Sequence, residues 1–200
     1  FWLAEIAMRE RDFPHAAQLY RDSLRVTPPE EVGTRIIEEF YLAMIHWLWR
    51  GDGVGTRAPY ERALKHFRET EFEFGVATVL HAMGDIALLT GELDRARHCF
   101  CECLTLLHRQ GARQRTVWAL GGLATLAATE GQNLRAITLW SAAVKLRAAV
   151  NTATLSMNHD DYVSRIEAAR AALAPQKADL ADAAGGQMSV DESVAYALAD

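Results

Sequence analysis

The sequence predicts an all-α chain: about four helix-turn-helix repeats stacked as a solenoid, closed by a C-terminal capping helical segment. Three observations carry this reading. Proline and glycine fall between long stretches whose apolar residues lie three, four and eight apart, the spacing of one helix face. No stretch alternates like a half-buried strand. A shift of 40 residues aligns RDFPHAAQLYRDSL (11–24), GDGVGTRAPYERAL (51–64), GELDRARHCFCECL (91–104) and GQNLRAITLWSAAV (131–144) without a gap.

Each column of that alignment has a physical reading. Arg11, Gly51, Gly91 and Gly131 take the tight turn between two helices, where glycine accepts φ > 0 at little cost. On the helix after the turn, Ala16, Thr56, Ala96 and Ala136 are small, as two closely approaching backbones require. Tyr20, Tyr60, Phe100 and Trp140 are the large aromatic one turn later. Ser23, Ala63, Cys103 and Ala143 are small again, and Leu24, Leu64, Leu104 and Val144 are apolar. The helix before each turn repeats too: Leu3, Ala43, Met83 and Leu123, then Ala4, Met44, Gly84 and Ala124, then Ala7, Trp47, Ala87 and Ala127. The repeats divide at about 1–28, 29–75, 76–111 and 112–150. The second is irregular, since GDGVGTRAP lengthens its turn and Trp47 stands where the others are small.

From residue 151 to 200 the register is lost. MNHDDYVSRIEAARAALA (157–174) reads as a helix capped by Asn158 or Asp160, with Tyr162, Ile166, Ala169 and Leu173 on one face. A break is expected at Gly185 and Gly186. Ser189 then opens a final helix with Glu192 completing a capping box. A solenoid needs its last apolar face covered, so this segment is expected to cap.

Small–aromatic–small on the second helix and apolar–small on the first resemble the tetratricopeptide repeat, best in LHAMGDIALLTGELDRARHCFCECL (80–104). Pro28 sits where that repeat often places a terminal proline, while the period exceeds the family's usual ~34. MGDIALLTGELDRA, WALGGLATLAATEGQNLRAITLWSAAVKLR and the ending MSVDESVAYALAD narrow the likeness. They are similar to the C-terminal sensor arm of large bacterial regulators that carry a STAND-type ATPase and often a LuxR-type helix-turn-helix. That resemblance implies a non-enzymatic arm in a cytoplasmic protein, regulating attached domains. Neither a GxxxxGK[ST] loop nor a DNA-reading helix pair occurs in these 200 residues.

Composition fits. A net charge of −5 argues against a nucleic-acid or membrane-surface binder, and no apolar run approaches the ~20 residues of a membrane helix. The opening FWLAEIAMRERD has no initiator Met and no cleavage signal and reads as a helix interior, so a segment of a longer protein is expected. The three cysteines, all in RHCFCECL (97–104), form no disulfide framework, which favours a reducing cytoplasm. On a helix Cys99 and Cys103 share a face and Cys101 points away, so three thiolates do not converge on one zinc. In register, Cys103 is a small packing residue, Cys99 an apolar one and Cys101 an exposed thiol. The histidines do not pair with carboxylates at ligand spacing except in NHDD (158–161), where capping is the simpler role. Gly121–Gly122 lacks a preceding strand and reads as close helix packing. No catalytic constellation, metal site or cofactor is nominated.

The stripe of each first helix that points to the concave side is where a ligand belongs. It nominates Glu38, Tyr41, Ile45 and Trp49, then Thr78, His81, Asp85 and Leu89, then Trp118, Gly121, Thr125 and Thr129. This mixed aromatic and polar surface suits a protein segment or peptide laid in a groove, or a small inducer. A plain scaffold that self-associates or docks a partner without switching is the other reading. Trp49 and Trp118 packing between neighbouring repeats is the structural alternative for those two positions.

Overall fold

The structure is a computed structural model that describes residues 2–51, 54–150 and 159–199. Every regular element among the described residues is helical. The chain divides into two compact units, Phe1–Val79 and Leu80–Asp200, with the boundary inside one helix.

In the first unit, α1 (Trp2–Arg9) packs on α2 (Phe13–Val26). The turn between them places Arg11 at φ 60°, and the Asp12 carboxylate accepts the His15 amide at 3.2 Å, starting α2 with Pro14 in its first turn. Arg35 Nη1 donates to the Leu24 and Thr27 carbonyls at 3.0 and 2.8 Å, so a cation satisfies the C-terminal end of α2. α3 (Val32–Arg50) ends at Gly51 with φ 70°, and a single 3-10 turn (Val54–Thr56) leads into α4 (Arg57–Glu69). The aromatic column is interior here. Tyr20 and Tyr60 are buried, with Tyr41 stacked on Tyr20 at 5.4 Å and Phe40 against Tyr60 at 4.9 Å. Thr56, expected as a small packing residue, is also buried.

α5 (Glu73–Leu89) runs across the unit boundary, and its second half belongs to the Leu80–Asp200 unit. There follow α6 (Leu93–Arg109), α7 (Arg113–Thr129) and α8 (Asn133–Val150), separated by turns with left-handed Gly91, Gly111 and Gly131. Left-handed backbone is inexpensive only without a Cβ. Phe100 of α6 shows what the small columns do. Its ring fills the space that a Cβ would need at Gly84 of α5 and Gly122 of α7, 2.5 and 2.6 Å away. The expected close packing at Gly121–Gly122 is thus real, with Gly122 in contact and Gly121 buried beside it. α7 is covered by α6, α8 and elements from the tail, and its residues from Thr116 to Ala127 are almost all buried.

The tail belongs to this same unit. α9 (His159–Ala171) packs on α7 and α8, and α10 (Pro175–Gln187) packs along α8. α11 (Val190–Leu198) reaches α6, α7 and α8. Tyr162, Ile166 and Ala169 are buried as expected, and Leu173 packs against Ile137, Ala178 and Ala181. Asp160 lies within the first turn of α9, and Asn158 lies outside the described residues. The capping box of Ser189 and Glu192 is formed, with the two reciprocal bonds at 3.2 and 2.7 Å.

One expectation is corrected. Gly185 and Gly186 do not break the chain: α10 runs through both and ends at Gln187. The reason is packing. A Cβ on Gly185 would lie 2.0 Å from the Thr138 carbonyl oxygen, so glycine is what lets α10 cross α8 backbone to backbone. Gly185 serves tertiary approach, and neither glycine makes a turn.

Candidate functional site

The predicted groove residues separate into two groups once packing is known. In the first unit Glu38 and Ile45 are buried, so neither lines an open groove. Glu38 faces the end of α2, where the Ser23 hydroxyl donates to it and Thr27 Oγ1 lies 3.0 Å from its carboxylate. A buried carboxylate is tolerable only with such donors. Tyr41 is half-buried on Tyr20, Thr78 donates its hydroxyl to the Phe74 carbonyl of its own helix at 2.9 Å, and Trp49 stands 41% exposed. Of this group Trp49 and Tyr41 keep surface for a partner.

In the second unit the nominated residues do converge, but under cover. Asp85 is only 4% exposed and Thr125 is fully buried, which corrects both as residues of an open surface. Thr125 returns its hydroxyl to the Gly121 carbonyl at 2.9 Å and so satisfies itself within α7. Asp85 accepts a hydrogen bond from the hydroxyl of Tyr162 in α9. His81, one turn earlier, holds Nδ1 3.6 Å from Asp85 Oδ2. Its ring stands edge-on to Phe100 at 5.7 Å and 6.2 Å from Trp118, which carries the Arg115 guanidinium over its own face at 5.1 Å. Thr129, at the end of α7, accepts from Arg165 Nη1 of α9 at 3.1 Å. Leu89 is exposed at the end of α5. Two residues of the face read from the sequence as a groove, Asp85 and Thr129, are thus bonded to the chain's own α9.

Sequence reasoning placed Tyr162 on an apolar stripe but missed its partner. The available signal was a tyrosine among Ile, Ala and Leu, because a buried phenol needs an acceptor. Arg165 and Arg115 carried no such signal.

The cysteine cluster holds no metal arrangement. Cys99 and Cys103 are buried, Cys101 is half-buried, none of the three is in a disulfide, and no metal-holding group of His, Cys, Asp or Glu occurs among the described residues. Burial pushes the Cys103 thiol far above its ordinary range, with the nearby Asp85 adding to it, so this sulfur is held neutral. No described helix is long and apolar enough to cross a membrane.

No protein-family model, curated protein or solved structure matches this chain.

Proposed function

We propose that this chain is a non-enzymatic interaction or sensing arm of a larger, cytoplasmic bacterial regulator, of the tetratricopeptide type its sequence resembles. One observation supports the reading: a helix of the chain itself, α9, packs on α7 and α8 and bonds two residues nominated for the binding surface, Asp85 and Thr129. A surface that takes a helix in cis through a narrow buried stripe has the chemistry to take one in trans. Trp49 and Tyr41, in the first unit, add aromatic surface for a protein partner. A ligand switches attached domains only to the extent that it binds one state better than the other, and an arm with an occupied seat has two such states, seat closed and seat free.

The gene at its natural length tests this. A P-loop ATPase before this segment and a helix-turn-helix after it are expected. In that protein, Trp49→Ala should change the response of a transcriptional reporter while leaving the helical circular dichroism intact. If the flanking domains are absent, the plain scaffold replaces the regulator.

A further inference from the structure

We propose that the outer face of α1, bearing Leu3, Ile6 and Glu10, is the docking face for a further helix of this same protein. That helix is of the α2 and α6 kind and is supplied by residues ahead of Phe1. It requires no attached ATPase or effector domain and so stands apart from the regulator reading.

Leu3, Ile6 and Glu10 lie three and four residues apart, on one stripe. The Glu10 amide still bonds to the Ile6 carbonyl at 3.0 Å, so the stripe runs to the end of the helix. Leu3 stands 68% and Ile6 52% exposed. At the same places in later repeats the stripe is covered. Ala43 is buried and His46 half-buried, with the Arg21 guanidinium of α2 donating to His46 Nε2 at 3.1 Å. Met83 and Ile86 are half-buried. Leu123 and Leu126 are 4% and 1% exposed, and Glu130, where Glu10 stands in the first repeat, accepts from Arg97 of α6 at 2.6 Å. In both bonded cases the contact comes from the helix directly before, α2 packed on α3 and α6 packed on α7.

An end of a helical array that faces water needs a polar outer surface. The tail meets that need for α8, which α10 and α11 cover. Leucine and isoleucine on α1 suit an interface instead. The stripe also states the chemistry of its occupant: a large apolar side chain against Leu3 and Ile6, as Phe100 packs on α7, and a basic one for Glu10, as Arg97 serves Glu130. The shift of 40 puts that aromatic about 20 residues ahead of Phe1. A second copy of the chain is the poorer source, because α2, α6 and α8 are already packed on α3, α7 and α10.

The test places Ile6→Cys in the 200-residue chain and in the protein at its natural length. Alkylation by N-ethylmaleimide is followed by mass spectrometry of the peptide, which separates the new thiol from Cys101. Labelling should be at least tenfold slower in the natural-length protein, and alanine in place of the aromatic about 20 residues ahead of Phe1 should restore the fast rate. Leu3→Cys replaces Ile6→Cys if the latter loses helix by circular dichroism. Equal rates, no aromatic or no residues at that place, or slow labelling that the alanine leaves unchanged overturns the proposal. Labelling of the 200-residue chain that slows as its concentration rises overturns it in favour of a second copy. A helix pair ahead of Phe1 without an ATPase leaves the proposal standing, while an ATPase with position 6 still open removes it and leaves the regulator reading.

Discussion

Two neighbouring glycines of α10 meet opposite surroundings. A Cβ on Gly185 runs into the Thr138 backbone, and a carbonyl cannot swing aside as a side-chain tip can. Gly185→Ala should destabilise the chain by about 2 kcal/mol or more as α10 is pushed off α8. Gly186 has nothing within 4 Å of its would-be Cβ and lies inside the helix. Gly186→Ala should therefore stabilise, by roughly 0.5–1 kcal/mol, through the unfolded chain's lost freedom. Thermal melts of the two variants should move in opposite directions; a parallel shift would mean the crossing is not close. Residue type alone could not separate these two glycines, because the difference lies on the neighbouring helix. Cys103 was legible, since its column holds Ser23, Ala63 and Ala143, and burial there follows from alignment.

Among the elements, α11 depends most visibly on local chemistry. The Glu192 carboxylate is held below its ordinary value by the Ser189 backbone amide and hydroxyl, and it is fully exposed. A lowered carboxylate pKa means the cap contributes fully above about pH 4.3, the ordinary glutamate value. It is lost as pH falls through the folded value. Amide exchange of α11, measured at matched intrinsic rate, should accelerate below pH 4, and Glu192→Gln, which has no carboxylate to protonate, should remove that dependence. An unchanged pH profile in the variant would show that the cap is not what titrates. At its other end α11 is held from outside: Arg135 donates to the Ala197 and Ala199 carbonyls at 3.0 and 2.6 Å and lies over the Tyr196 ring. The SxxE signature announced the start of this helix from sequence. Nothing local announced its end, because Arg135 is more than 60 residues away.

At the scale of the whole molecule the tail is structural before it is anything else. α10 and α11 cover α8 within the Leu80–Asp200 unit, burying Ala178, Ala181, Val194 and Ala197 with it. A chain ended at Ala174 should expose that apolar surface. It should bind a hydrophobic dye such as ANS, melt several degrees lower and lose amide protection in α8. A truncated chain that melts like the full one would show that α8 needs no cover.

The helical class, the turn glycines, the buried aromatics Tyr20, Tyr60 and Phe100 (Trp140 of the same column is only half-buried) and the final cap were legible in the sequence. All of these follow from interactions within a turn or from a side-chain pattern repeated along the chain. Tertiary packing alone sets which helix lies on α7 and α8 and meets Asp85 of α5. It also decides that Asp85 is bonded to Tyr162 of α9 and that Thr125 is buried rather than open to a ligand, and that Gly185 is a crossing point rather than a break. Those depend on residues brought together from distant positions, Asp85 with Tyr162 and Gly185 with Thr138. The periodicity of one helix is blind to what arrives on its outer face.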